Sequence, residues 1–410
     1  MEIKINDING GITSPKGFSA SGIHCGLRKN KSKSDLALIV ADRDCTAAGV
    51  YTTNKVFAAP VGVTRAHLAN GHARAIICNS GNANTCNSDG YDKANATCAA
   101  LSKELNIDEN DIVVASTGVI GVPLPVDAII NGIPTLVSAL DDTDKASSDA
   151  ATAIMTKDTK KKEYAVEYSV NGETIHVGGI CKGSGMIEPN MATMLGFITT
   201  DAAISPEMLD RALHKTVADT FNMVSVDGDT STNDMVVIMA SGASSNTYID
   251  SECDEYFAFE AALDDLCHKM CRAIAADGEG ATKLLECTVS NFSDVKGAKT
   301  LAKSVIKSSL VKAAMFGADA NWGRILCALG YAGIEFDTDK VDVSFRSKAG
   351  SILVCQNGRG VDFSEELAKE ILTKKYIYID VDLKSGDCSA TAWGCDLSYE
   401  YVRINGDYRS

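Results

Sequence analysis

The chain has 410 residues, 45% of them hydrophobic, and a formal net charge of −15. That length can bury a large core and calls for two domains or lobes, while the acidic balance argues against nucleic-acid binding, which wants a basic face. No apolar run reaches the ~18–20 residues that span a bilayer, and the start, Met1-Glu-Ile-Lys-Ile-Asn-Asp7, lacks signal- or transit-peptide character, so a cytoplasmic protein with no membrane attachment is expected.

Strand-like runs at Ala75–Cys78 and Asp111–Ser116 lie either side of a helix-like run at Asp92–Leu105. The second strand leads into Ser116-Thr-Gly-Val-Ile-Gly121. A threonine hydroxyl and a glycine N–H at the end of a rigid strand can serve an oxyanion, and they can equally form a turn that merely ends the strand. Alternating runs at Glu163–Val170 and Thr174–Ile180 flank Asn171-Gly172, which predicts a tight hairpin.

The next segment, Lys182-Gly-Ser-Gly-Met-Ile-Glu-Pro-Asn-Met-Ala-Thr-Met-Leu-Gly-Phe-Ile198, is the most informative in the chain. Pro189 fixes its own φ and pushes Glu188 away from helix, so the approach to Ala192-Thr193 reads as an ordered loop. Met194–Ile198 then reads as a buried strand. A threonine at the mouth of such a strand serves β-propensity, or its hydroxyl can attack the preceding peptide bond and free Thr193 as a new N-terminus. A free N-terminal threonine is a self-sufficient nucleophile, because its α-amine titrates at roughly 7.7–8.0 and can take the hydroxyl proton. Lys182 belongs to no phosphate loop, since the GxxxxGK[ST] spacing is absent.

In the second half, Ser205-Pro206 starts a helix running to about Ala218, and another spans Asp254–Ala276 with Phe259, Leu263, Leu266, Met270 and Ile274 on one face. Asp277-Gly-Glu-Gly-Ala-Thr-Lys283 closes it. A helix C-cap explains those glycines but not the acid between them, Glu279, which a helix C-terminus disfavours. A further helix precedes Met315. Strands follow near Val341–Arg346, Ile352–Cys355 and Tyr376–Leu383, with a helix near Glu365–Leu372 and a last strand near Tyr399–Asn405. Hairpins mixed with helices, without regular βαβ units, predict an α+β fold. The 14 cysteines are dispersed without a CxxC; Cys267 and Cys271 flank His268 but lack further ligands, so buried thiols are expected and no metal. No GxSxG elbow occurs, which leaves a Ser-His-Asp triad without support.

The string Lys182–Gly196 resembles the self-processing site of the ornithine acetyltransferase family, the glutamate N-acetyltransferases of the cyclic arginine pathway. The resemblance implies layered sheets and helices in two domains, and cleavage at Ala192–Thr193 into an N-terminal chain, 1–192, and a C-terminal chain, 193–410. It implies Thr193 as nucleophile, Thr117 and Gly118 as oxyanion hole, and Thr156, Lys182, Thr193, Glu279, Asn405 and Ser410 as substrate-binding residues. The final position of the family is commonly threonine, so Ser410 departs from the pattern by one methyl group. Asn79–Asn84, Ser225–Asp234 and Gly317–Arg324 also match, as tight turns of the cleft. The implied reaction moves acetyl from N2-acetylornithine to glutamate without a cofactor; acetyl-CoA is a possible co-substrate. The cleaved halves are expected to stay together as a heterodimer, paired into a heterotetramer. The rival readings are an N-terminal-nucleophile aminopeptidase or amidohydrolase, and an unprocessed, non-catalytic module.

Overall fold

A computed structural model describes residues 3–188 and 194–406. The expected cleavage pair, Ala192 and Thr193, and the terminal Ser410 lie outside the described residues. The chain divides into two compact units, the first formed by residues 1–183, 189–222 and 229–270 and the second by 184–188, 223–228 and 271–410.

The first unit is built on strands β1 (Ile5–Ile8), β2 (Phe18–Ile23), β3 (Leu36–Tyr51), β4 (His72–Asn82), β5 (Ile112–Val119), β6 (Lys162–Val170), β7 (Glu173–Lys182) and β8 (Leu195–Thr200). After β9 (Val224–Ser225), which belongs to the second unit, β10 (Met235–Ala240) completes its sheet. The order is β1-β6-β7-β8-β10-β3-β4-β5, with β2 also on β3. Helices α1 (Ala59–His67), α2 (Gly90–Leu105), α3 (Val126–Ser138), α4 (Asp144–Ala153) and α5 (Pro206–Asp219) accompany it.

Alternation along β4 shows why both faces of the sheet are covered. Ala75 and Ile77 join a core with Ala94, Cys98 and Leu101 of α2 and Ile129, Ile133 and Leu136 of α3. Ile76 and Cys78, pointing the other way, join Ala150, Ala151 and Ala153 of α4 with Phe197 and Val237. The hairpin between β6 and β7 turns at Asn171 and Gly172, both at positive φ (53° and 86°), the backbone a two-residue primed turn requires.

The second unit carries β9, β11 (Leu284–Phe292), β12 (Asp342–Ser347), β13 (Gly350–Gln356), β14 (Arg359–Gly360), β15 (Tyr376–Asp382) and β16 (Cys388–Cys395), in the order β14-β13-β12-β15-β11-β16-β9. Its helices follow the C-terminal end of α6 (Asp254–Ala276): α7 (Val295–Lys307), α8 (Ser309–Phe316), α9 (Trp322–Gly330), α10 (Glu365–Leu372) and α11 (Tyr399–Gly406). Both sheets are mixed, so the α+β expectation holds.

Two local readings need correction. The segment at Tyr399–Asn405 is helical, not a strand. Ser398 Oγ accepts the Glu400 N–H, and Arg403 pairs with Glu400 three residues back, so local capping and a helical ion pair override the β-preference of its tyrosines. The expectation that βαβ units are lacking also fails, since β4 and β5 are parallel neighbours with α2 between them in the chain, and β8 and β10 are parallel neighbours with α5 between them. All 14 cysteines are free thiols, and most are buried.

Candidate active site

In the first unit the turn expected after Ser116 is not there: β5 continues to Val119, and Thr117 and Gly118 pair with Ser80 and Gly81 of β4 in a strand end that is fixed from several directions. Gly118 sits at φ +137°, and a β-carbon there would stand 2.3 Å from the Gly81 carbonyl carbon and 2.5 Å from the Asn82 nitrogen. Only glycine permits that approach of β5 to β4. Behind this strand end, Ser116 Oγ donates to Asn79 Oδ1 (2.5 Å), and Asn79 Nδ2 donates to the Asn82 carbonyl (2.9 Å). Asn233 Nδ2 donates to the carbonyls of Ser116 (2.8 Å) and Ala83 (2.6 Å), while its Oδ1 accepts from Thr85 and Thr232. All of these side chains are buried. Two of the matching segments expected as tight turns therefore brace Thr117 and Gly118: the end of Ser225–Asp234, and Asn79–Asn84, of which Asn79–Asn82 is the end of strand β4.

Lys182, at the end of β7, reaches this strand end: its Nζ donates to Thr117 Oγ1 at 3.2 Å, both side chains being buried. A hydroxyl that accepts from an ammonium keeps its own proton for another acceptor. Beside it Asp158, whose side chain is 0% exposed, accepts from Lys162 Nζ (2.6 Å), the Gly183 N–H (2.7 Å) and the Thr156 N–H (3.0 Å). Burial pushes the Asp158 carboxyl up, but Lys182 and Lys162 outweigh it and hold it at about 2. Burial likewise pushes the Lys182 ammonium down, and Asp158 opposes that shift. Lys182 places an ammonium directly on the Thr117 hydroxyl, which favours an oxyanion there.

Thr117, Gly118, Thr156 and Lys182 are thus brought together. Asp158 and Lys162 were missed by sequence reasoning, and Asn79 and Asn233, inside matching segments, were given no role of their own. The i,i+4 spacing of Asp158 and Lys162 was the available signal, and it ordinarily denotes a solvated pair. Cys78 and Cys181, on β4 and β7, are pushed up to about 12 by burial and carry too little thiolate to act as nucleophiles. Across β7 and β8, Lys182 is in register with Leu195, two residues beyond Thr193 in the chain.

In the second unit, Glu279 follows the C-terminus of α6. Its N–H donates to the Ser184 carbonyl (2.7 Å), and its Oε2 accepts from Asn405 Nδ2 (2.7 Å), so these two sequence candidates do meet. A β-carbon on Gly185 would stand 2.3 Å from the Glu279 carboxyl carbon, so the glycine after Ser184 makes room for the acid. Asp396 Oδ1 accepts the N–H groups of Thr282 and Lys283, and Ser398 Oγ donates to the Gly280 carbonyl (2.5 Å). Glu279 is therefore held by tertiary contacts as well as by a helix end.

The ArgJ family model matches residues 19–410. The arginine biosynthesis bifunctional protein ArgJ 1 of Clostridium acetobutylicum is 50% identical over 403 residues, 98% of each chain. The bifunctional ArgJ protein of Caldanaerobacter subterraneus is 48% identical over 404 residues, 98% of this chain and 99% of that one. The crystal structure of the bifunctional ArgJ protein of Bacillus halodurans aligns with a TM-score of 0.50 at 45% identity, covering 52% of this chain and 99% of that chain. Family model and relatives agree along almost the whole length, and with them the resemblance first carried by Lys182–Gly196: the chain belongs to the ArgJ family.

Proposed function

We infer that the chain transfers acetyl from N2-acetylornithine to the α-amine of glutamate, through an acetyl ester on Thr193. The bifunctional names of its relatives extend the reading to acetyl-CoA as a second donor, giving N-acetylglutamate directly. The observation that carries the reaction class is the braced Thr117–Gly118 strand end with the Lys182 ammonium on the threonine hydroxyl.

In this reading the chain is first cut at Ala192–Thr193, giving fragments 1–192 and 193–410 that remain a heterodimer and pair into a heterotetramer. The solved Bacillus halodurans chain spans only about half of this one, as a processed fragment would. The freed α-amine takes the Thr193 hydroxyl proton as the oxygen attacks the acetyl carbonyl. Charge building on the acetyl oxygen is met by the Thr117 hydroxyl and the Gly118 N–H, with Lys182 polarising the former. Ornithine leaves with the proton, and glutamate reverses the sequence in the same site. Thr156 and Lys182 hold the substrate, Lys182 being suited to an α-carboxylate. Glu279, Asn405 and Ser410 bind the amino acid, with Glu279 pairing a cationic amine. No metal or organic cofactor is needed for this route.

Incubation with acetylornithine alone tests the mechanism: the fragment beginning at Thr193 should gain one acetyl mass, and adding glutamate should remove it as N-acetylglutamate. Parallel double-reciprocal lines should accompany it. Intersecting lines with no adduct would refute the covalent route, and release of acetate without acetylglutamate would identify a hydrolase.

A further inference from the structure

On a chain of net charge −15, one stretch runs against the balance: Arg28-Lys-Asn-Lys-Ser-Lys33, with four basic residues in six and no acid. It forms the loop between β2 and β3. Its root is organised by Asp35, a buried residue whose carboxylate accepts the N–H groups of Cys25 (2.6 Å) and Arg28 (2.9 Å) and contacts His24 Nδ1 (3.1 Å). Its outer lysines, Lys29, Lys31 and Lys33, are exposed, and no ion pair or hydrogen bond engages their ammonium groups among the described residues.

The root of the loop packs beside the strand partner of Gly118. A β-carbon on Gly81 would stand 3.2 Å from Arg28 Cγ, and Gly81 is the residue packed on Gly118. The Arg28 guanidinium donates to the Met155 carbonyl, next to Thr156. From that side a second basic run begins, with Lys157 half-buried and Lys160 exposed. Lys31 is three residues from Arg28, so its backbone lies within about 11 Å of it. The three exposed ammonium groups of the loop therefore stand a short chain length from the Thr117–Gly118 strand end, not neutralised by an acidic neighbour.

We propose that Lys29, Lys31 and Lys33, with Lys160, bind the phosphates of coenzyme A while its thioester reaches the Thr117–Gly118 strand end. The proposal rests on the acetyltransferase reading and deepens its acetyl-CoA branch. Acetylornithine carries no phosphate and makes no use of the loop. Coenzyme A carries a pyrophosphate and a 3′-phosphate at the far end of an extended arm, and lysine is suited to such point-charge recognition. In the step served, the acetyl C–S bond breaks and a C–O bond to Thr193 forms. The hydroxyl proton passes through the α-amine to the departing thiolate, and no oxidant or further reactant is needed. A nucleic-acid role is disfavoured by the acidity of the rest of the chain.

The test is the processed full-length enzyme against the triple variant Lys29→Gln, Lys31→Gln, Lys33→Gln. The variant should raise KM for acetyl-CoA about ten-fold, as expected when several exposed, screened charge interactions are removed together, and leave acetylornithine-dependent transfer unchanged. Calorimetry with coenzyme A, dephospho-coenzyme A and inorganic phosphate reads binding without turnover. Coenzyme A should bind wild type more tightly than the dephospho form, and that preference should shrink in the variant and in high salt. Equal loss with both donors, no loss with either, or wild-type binding no stronger for coenzyme A than for inorganic phosphate would overturn the proposal. Wild-type failure to use acetylornithine would instead strike the acetyltransferase reading, while the calorimetric result still decides the loop.

Discussion

Two glycine-containing segments carry the polar candidates, the end of strand β5 in the first unit and the Glu279–Gly280 turn in the second, and they are held differently. The Thr117–Gly118 strand end is backed by buried side chains from distant parts of the chain, Asn79 and Asn233 among them, that bond its backbone, and its glycine is wedged against Gly81. The Glu279–Gly280 turn is clamped along its backbone by Asp396 and Ser398, but the carboxylate itself is met by Asn405 on α11, a helix with no buried residue. Donors that must meet developing charge are worth most when they need no reorganisation. A recognition group on a thinly packed helix belongs to the low-stability end of a structure and can adapt to its ligand. On the proposed mechanism, the first segment is expected to govern rate and the second affinity.

Removing the proposed nucleophile has the largest expected effect. Thr193→Ala should leave a single uncut chain with no transfer activity, seen by intact mass and assay. A variant that is cut or active would overturn Thr193 as the nucleophile.

Asp158→Ala strips the counter-charge from two buried lysines behind the first segment. Breaking a buried ion pair in this way costs about 3–5 kcal/mol, readable by urea denaturation. A loss under about 1 kcal/mol would mean the rigidity of this segment does not depend on the ion cluster. The same residue sets a pH dependence. Its carboxyl is held at about 2 against an ordinary 3.8, so its contribution is complete above pH ~4 and disappears as pH falls towards 2. That acid limb, on the order of 2 kcal/mol, should be missing from Asp158→Asn.

Thr117→Ala, assayed on chain already shown to be cut, should lower kcat by ~10²–10³-fold, about 2.7–4 kcal/mol, with little change in KM. An unchanged kcat in cleaved enzyme would remove the hydroxyl from the mechanism. Smallest should be the second segment: Asn405→Ala and Glu279→Gln should mainly raise KM for acetylornithine. If either lowers kcat as far as Thr117→Ala does, the division between rate and affinity fails.

Much of the fold could be read locally. Asn171-Gly172 announced its hairpin because few dipeptides accept two positive φ angles in succession, the bounds of α6 followed from apolar periodicity, and the start of α5 followed from the Ser205 cap and Pro206. The error at Tyr399–Asn405 arose where aromatic composition and helical pairing pointed in opposite directions. The candidate site was legible only in part. Thr117, Thr156, Lys182, Glu279 and Asn405 stood out through motif resemblance. Asp158 did not, and Asn233 lay unassigned inside a matching segment, because their importance comes from burial beside partners far away in sequence. A carboxylate four residues before a lysine looks the same on paper whether water surrounds it or two buried ammoniums do.

The position of β8 has a consequence for the life history of the enzyme. β8 follows residue 192, yet it pairs with β7, which precedes it; β10 likewise pairs with β3. Residues 1–192 and 193–410 are therefore parts of a chain and not of a fold, since one sheet is woven from both. A cut between them changes the molecularity of folding. The uncut chain collapses as one molecule at a rate independent of concentration, whereas the processed pair, once denatured, must find its partner by diffusion. Two fragments that each carry unpaired strand edges also invite aggregation on the way. If the chain is cut after folding, as proposed, processing works as a ratchet: the enzyme would persist by the slowness of its unfolding rather than by its capacity to refold.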